Sequence, residues 1–364
     1  MESQQRIAFA RSKDGVNIAY ALSGEGPPLV RAGTWLTHLQ HDWNSVLWTH
    51  WFSLMSAHHT LVRYDPRGNG LSQRDGIDIS LQHWVDDLAC VVDKLELESF
   101  PLFGMSQGAG VAIAYALQHP GRVSHLTLYA PAVQGWHGDH VPAELADYWR
   151  HLSEVTATGW GAENLAFTSL FAQLFVPDAP PETIREFARI QQQTAAPEVA
   201  QQHLRTVGEF TLLGVLKEID IPTVVIQVAR DQMVPPELAA GVAALIPGAD
   251  FISLDSANHI LLETEPAWAH FRSVFSDIYG TPDSAAEAAT ASAPAAAAST
   301  GAEALSKRER DILRELAGGL SNRDIGTRLF ISEKTVRNHL TSIFAKLGVD
   351  SRARAIVAAR ELEL

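Results

Sequence analysis

A chain of 364 residues exceeds one ordinary domain and fits a large domain followed by a small one. Its composition is globular: there is no apolar run of membrane-spanning length, the start at Met1 to Arg6 is polar and Cys90 is the sole cysteine. This excludes a membrane span, a secretory leader and a disulfide scaffold, so a cytoplasmic protein is expected. The formal charge of −14 is uneven: residues 305–364 hold 12 Lys+Arg and 8 Asp+Glu against 16 and 34 in the rest, so contact with a polyanion is expected of the tail alone.

Arg6 to Arg11 and Asn17 to Ser23 alternate around Lys13-Asp14-Gly15, which predicts a hairpin. Pro28 to Arg31 is the next predicted strand, ending in Ala32-Gly33-Thr34-Trp35. His59 to Tyr64 follows, ending in Asp65-Pro66-Arg67-Gly68-Asn69-Gly70. Leu81 to Leu95 has helical spacing through Trp84, Leu88, Val91, Val92 and Leu95. A short apolar run, Pro101 to Phe103, enters Gly104-Met105-Ser106-Gln107-Gly108, and small residues from Ala109 to Leu117 continue as a helix. Beyond lie a strand Val123 to Tyr129, a long insertion, a strand Thr223 to Val228, a helix near Pro236 to Leu245, a strand Phe251 to Leu254 and a closing helix near Pro266 to Ile278. Strands alternating with helices predict an α/β protein with a mostly parallel sheet covered on both faces.

A G-x-S-x-G between strand and helix holds its serine at the apex of a strained turn, with the hydroxyl pushed out at the top of the sheet. Side chains at 104 or 108 would collide with the neighbouring strand and helix. The Gln107 amide, at the helix N-terminus, then faces the place where an oxyanion would develop. Taken with the 65–70 turn, Asp231-Gln232-Met233-Val234-Pro235 and Asn258-His259, the pattern resembles the α/β-hydrolase fold over about residues 5–280. The resemblance implies Ser106 as nucleophile, Asp231 as the acid after the seventh strand and His259 as the base after the eighth. Serine at its free pKa is a poor nucleophile, so His259 must take its proton and Asp231 must fix the imidazole tautomer. Many members carry His-Gly after the third strand. Here the pair is Ala32-Gly33, which leaves the Thr34 amide as the second oxyanion donor. Asp65 and Arg67 read as turn scaffold rather than chemistry.

Trp35, Trp43, Trp48 and Trp51 lie just after that turn, and Trp136, Trp149 and Trp160 lie in the insertion at about 133–215, which this family uses as a lid. An apolar, aromatic ligand pocket involving Trp35, Met105 and Trp136 is expected, although tryptophans packing lid to body would give the same pattern. His38 and His41 read as loop histidines without a metal ligand set, and no metal or cofactor is implied.

Residues 281–304 hold no large apolar side chain and read as a tether, reaching on the order of 25–30 Å as a coil. From 305 to 364, four short helices are punctuated by serines and glycines, with a capping box at Ser306-Lys307-Arg308-Glu309. In the third, Val336, Leu340, Ile343 and Leu347 share one face, and Lys334, Arg337, Asn338 and Thr341 the opposite one. With the preceding segment Asn322 to Leu329 this predicts a helix-turn-helix whose outer face enters a major groove. The runs Gly319-Leu320-Ser321-Asn322-Arg323-Asp324-Ile325, Ile331 to His339 and Lys346-Leu347-Gly348-Val349 resemble the LuxR-type DNA-binding domain. That resemblance implies bases read by Arg337, Asn338 and Thr341, backbone held by Lys334 and Thr335, dimerisation through Arg352 to Ala359, and an inverted-repeat operator in double-stranded DNA. The whole is expected to be an α/β-hydrolase domain (1–280) tethered to a small all-α four-helix domain (305–364): a regulator that senses an apolar ester, lactone or amide, with or without cleaving it, or else a serine hydrolase localised to DNA.

Overall fold

The computed structural model describes residues 5–136, 141, 143–161 and 165–280, then 305–317, 320, 322–329, 331 and scattered positions up to 359. The chain divides into two compact units, with a break after Tyr279.

In the first unit eight strands form one sheet: β1 (Arg6–Arg11), β2 (Asn17–Ser23), β3 (Pro28–Arg31), β4 (Thr60–Tyr64), β5 (Phe100–Met105), β6 (Val123–Tyr129), β7 (Thr223–Val228) and β8 (Asp250–Leu254). Their order is β1-β2-β4-β3-β5-β6-β7-β8. The hairpin turns through Gly15, whose φ of 90° suits glycine, and sets Ala8 opposite Tyr20. β2 is antiparallel to β4, and from β4 to β7 the strands run parallel, with Val30 beside both Val62 and Leu102, and Leu128 beside Val225. Central strands need apolar side chains on both faces, and β7 is buried at every residue.

One face packs on α3 (Leu81–Lys94), α4 (Gln107–Gln118) and α9 (Pro236–Leu245) through Trp84, Leu88, Val111, Ile113 and Val242. On the other, Trp51 of α2 (Thr49–Ser56) meets Tyr129 of β6 and Phe271 of α10 (Pro266–Tyr279) at ring distances of 5.3 and 4.6 Å. The insertion between β6 and β7 folds as α5 (Ala143–Gly159), α6 (Ala166–Phe175), α7 (Pro181–Thr194) and α8 (Pro197–Glu209). Pro181 and Pro197 open their helices where a missing N–H costs nothing.

Two short helices after β3 differ from the sequence reading. His38 is not a free loop side chain: its Nδ1 accepts from the Gln40 and His41 N–H groups at 3.3 Å and caps α1 (Leu39–Trp43). Burial, and the neighbouring His41, push that imidazole down to about 4.

In the second unit the helices α11 (Lys307–Ala317) and α12 (Asn322–Leu329) are followed by helical residues at 335–336, 339–340, 343, 346–347, 355 and 358–359. Its core gathers Leu305, Ile312, Leu313, Leu316, Ile325, Val336, Leu340, Ile343, Ala355 and Ala359. The residues expected to form the 281–304 tether lie outside those described.

Candidate functional site

Ser106 follows β5 directly and caps α4, with φ 53° and ψ −126°. A non-glycine residue in that region stores on the order of 1–3 kcal/mol and persists only where the surroundings over-determine it. Here they do. The Ser106 N–H donates to the Tyr129 carbonyl at 2.9 Å, and the Ser106 carbonyl accepts from Ala109 and Ala132 at 3.0 and 3.1 Å. A Cβ at Gly104 would lie 2.7 Å from the Ala109 Cα, and one at Gly108 would lie 2.8 Å from the Gly33 oxygen. The helix can therefore start tight against both β5 and the turn after β3.

That second approach sets the start of α4, which carries the oxyanion candidate Gln107, against the turn after β3, which carries Thr34. Among the described residues neither the Thr34 nor the Gln107 N–H donates a hydrogen bond. The Thr34 hydroxyl instead donates to the Met105 carbonyl at 2.9 Å, pinning its turn to the elbow.

Asp231 lies on the turn after β7. Its Oδ1 accepts from the Met233 and Val234 N–H groups at 2.8 and 3.2 Å, and its Oδ2 lies 2.7 Å from His259 Nδ1. Both side chains are buried. With Nδ1 so engaged, Nε2 is the atom left for chemistry. It is buried and has no hydrogen-bond partner among the described residues. His259 and Ser106 line a common small cavity of about 230 Å³, counting its open mouth, although no hydrogen bond joins Nε2 to the serine hydroxyl. Such contacts often tighten only around a substrate.

Two supporting residues escaped the sequence reading. Gln227, on β7, donates to the Val228 and Val234 carbonyls at 3.0 and 2.9 Å and underpins the Asp231 turn. Glu265 staples the His259 loop, bonding the Ser256 hydroxyl, the Asn258 amide at 3.3 Å and the Leu262 N–H at 2.6 Å. Asn258 in turn accepts from the Asp178 N–H at 3.0 Å, so the loop is tied to the segment between α6 and α7. All of these bonds are local in sequence except the last, but they exist only in this loop conformation, which no periodicity announces.

A second, larger cavity of about 900 Å³, counting its open mouth, also reaches Ser106 and Gln107. Trp35 lines both cavities, Trp136 only the large one and Met105 only the small one. Trp149 joins the large cavity and Trp48 the small. Trp51 belongs to neither, since it is core, 1% exposed, and Trp43 stacks on Phe52. Trp160 stands edge-on to Trp35 at 5.9 Å, packing insertion to body. The two readings of the tryptophans thus divide residue by residue. Trp35 is further anchored by its indole N–H, which donates to Gln191 at 2.9 Å.

Asp65 and Arg67 line neither cavity. Asp65 accepts from the Leu39 and Leu71 N–H groups and the Thr37 hydroxyl at 3.2, 2.9 and 3.1 Å, and desolvation pushes its carboxyl up to about 7. Arg67 is gripped by Asp87 at 2.7 Å and by Asp14, whose carboxyl it holds down at about 2.

In the second unit Glu309 Oε2 accepts from the Ser306 N–H at 2.7 Å and the Ser306 hydroxyl accepts from the Glu309 N–H at 3.2 Å. Lys346 reaches the same carboxylate at 2.8 Å, so the box also ties α11 to a later helical segment. Val336, Leu340 and Ile343 are buried and Leu347 packs against them. Thr335 is half-buried; Lys334, Arg337, Asn338 and Thr341 lie outside the described residues. Ala355 and Ala359 pack into this unit's own core, so that face of the last helix is spent within the chain.

The sheet order, the strained serine between β5 and α4 and the Asp–His pair behind β7 and β8 define an α/β-hydrolase, and the following unit is a helical domain built around a helix-turn-helix. Comparison with known proteins agrees. The chain belongs to the alpha/beta hydrolase fold family, whose model matches residues 38–266, and its tail is matched over residues 303–359 by the model for bacterial regulatory proteins of the luxR family. It is similar to strigolactone esterase D14 of Arabidopsis thaliana, 27% identical over 238 residues, covering 63% of this chain and 84% of that one. The tail is similar to the DNA-binding transcriptional activator DevR/DosR of Mycobacterium tuberculosis, 44% identical over 59 residues, covering 16% of this chain and 27% of that one. The chain spans only 6% of the length of the mycobacterial HTH-type regulators it matches at 50% identity over 52 residues. Among solved structures, a hydrolase from Pseudomonas aeruginosa aligns with a TM-score of 0.63 at 23% identity, covering 76% of this chain and 99% of that one. An esterase from Exiguobacterium antarcticum aligns with a TM-score of 0.63 at 21% identity, covering 74% and 98%. These last two likenesses carry the fold alone. No helix among the described residues is long and apolar enough to cross a membrane.

Proposed function

We propose that this protein is a transcription regulator whose hydrolase-fold domain binds and hydrolyses a small apolar ester, lactone or amide, and whose luxR-type domain binds an inverted-repeat operator as a homodimer. The observation that carries the catalytic half is the buried Asp231–His259 pair behind a strained Ser106 flanked by two undonated amides. Ser106 Oγ attacks the carbonyl carbon while His259 Nε2 takes its proton, and the Thr34 and Gln107 N–H groups receive the oxyanion. The bond to the leaving group breaks as His259 returns that proton to it. Water then attacks the acyl carbon, the Oγ–carbon bond breaks and the proton returns to Ser106. Asp231 holds the imidazolium throughout.

For a ligand to act on DNA binding it must favour one arrangement of the protein over another, and hydrolysis would end that preference. A second reading, an esterase merely localised by its DNA domain, is favoured by the intact catalytic set. Turnover of short-chain esters by the full chain, with Ser106→Ala as control, tests the chemistry: equal inertness of the two removes it. Operator affinity measured with and without the ester in Ser106→Ala separates regulator from localised enzyme, since no change removes the regulator. At the tail, Arg337→Ala is expected to relax specificity at one base position by about 1–3 kcal/mol. Uniform weakening across sequences would make Arg337 a phosphate contact instead.

A further inference from the structure

Ser106, Trp35 and Phe175 are the residues common to the two cavities, so the spaces meet at the nucleophile. His259 lines only the small one. From this asymmetry we infer the substrate class of the proposed hydrolysis, on which the inference rests: an ester joining a bulky, largely apolar acid to a small alcohol, with a hydrogen-bonding atom on the acid side near the scissile carbonyl.

The direction follows from where the proton must go. The leaving oxygen has to come within hydrogen-bond reach of His259 Nε2 to be protonated as it departs. Nε2 is the free nitrogen of that ring, because Nδ1 is committed to Asp231. The alcohol therefore leaves on the His259 side, where the space is about 230 Å³, counting its open mouth, and is lined by Trp48, Phe187 and Ile260. The acyl group, bonded to Ser106 Oγ, takes the opposite side, where about 900 Å³ is walled by Trp136, Trp149, Phe171, Leu204, Val207 and Leu238. Two amide side chains belong to the lining of this apolar chamber, Gln134 and, next to the nucleophile in the chain, Gln107. Gln107 is 3% exposed and is one of the residues lining the chamber; its side-chain oxygen and nitrogen are buried just behind that lining and have no hydrogen-bond partner among the described residues. A buried amide left without partners discriminates strongly in favour of a ligand that supplies them. Its place next to Ser106 puts the complementary atom within a few bonds of the ester carbonyl.

Reversed esters test the assignment on the unaltered full chain. Methyl phenylbutanoate and phenylpropyl acetate are isomers that carry the same ring on opposite sides of the ester. The methyl ester is expected to show a kcat/KM at least about tenfold higher. Methyl benzoylpropanoate, which adds a keto oxygen on the acid side, is expected to exceed the plain methyl ester, with Gln107→Leu reducing that keto preference about tenfold. If the acetate is hydrolysed as fast or faster, in a Ser106-dependent way, the hydrolytic reading stands and the partition is overturned. If the keto preference is absent, or survives in Gln107→Leu, Gln107 is not the reader. If neither isomer turns over faster than with Ser106→Ala, the hydrolytic reading falls and takes this inference with it.

Discussion

A methyl group at position 108 would sit 2.8 Å from the Gly33 oxygen and 3.2 Å from the Ala32 oxygen, both backbone atoms that cannot swing aside. Gly108→Ala should therefore push α4 away from the turn that presents the Thr34 amide. We expect a loss of about 1–3 kcal/mol in stability and a fall in kcat of about tenfold or more, read by denaturant titration and ester turnover. Unchanged turnover would mean that the Thr34 amide is not used. His203 makes a separate statement about pH. It is wholly buried, with Trp84 and Trp35 rings at 5.0 and 6.3 Å, and desolvation pushes it down to about 4. In the unfolded chain the same imidazole titrates near 6.5. Between these values the unfolded chain binds the extra proton, so the stability gained from a neutral His203 is full above 6.5 and is lost as pH falls toward 4. The loss is about 3 kcal/mol at the lower end. His203→Leu should make the stability profile between pH 6.5 and 4 shallower, with His38 keeping part of the slope, and an equally steep profile would show that other groups set it.

Elements were legible where chemistry is periodic or punctuated. β1, β2, β3, β6 and β7 begin and end where their apolar runs meet glycine, proline or charge, and the elbow is written in two glycines that the packing requires. α1 and α2 were not, because their starts lack the usual side chains: His38 caps through a ring nitrogen, and Trp48 makes no side-chain cap at all. α7 and α8 carried a readable signal in Pro181 and Pro197, each at the first helical position, and in the apolar residues that follow at helical spacing, Phe187 and Ile190 in one and Ala200 and Leu204 in the other. Of the candidate site, the strained turn at Ser106 and the pairing of Asp231 with His259 were legible from motif and order. Gln227, Glu265 and the emptiness around the Gln107 amide were not, since they depend on how loops fold back. The capping box at Ser306 was read correctly in sequence, but its bond to Lys346 adds a tertiary role. Glu309→Ala should cost the second unit about 1–2 kcal/mol and lower amide protection at Leu313 and Leu316 without touching β5, as hydrogen exchange would show. Equal loss in both units would mean that they do not open independently.

At the scale of the molecule, an acidic hydrolase-fold domain and a basic luxR-type domain share one chain. Charge of this sign disfavours contact between the large unit and a polyanion, which supports the proposal that DNA binding belongs to the small one. The regulatory proposal adds that what happens at Ser106 is felt at the operator. Its first requirement is that Ser106 be a working nucleophile, and a serine-directed fluorophosphonate tests this on the full chain without knowledge of the natural ligand. Peptide mass spectrometry should find a single adduct on Ser106, absent from Ser106→Ala and formed far more slowly by His259→Ala. A folded wild-type chain that stays unlabelled, or that labels equally fast without His259, would contradict it.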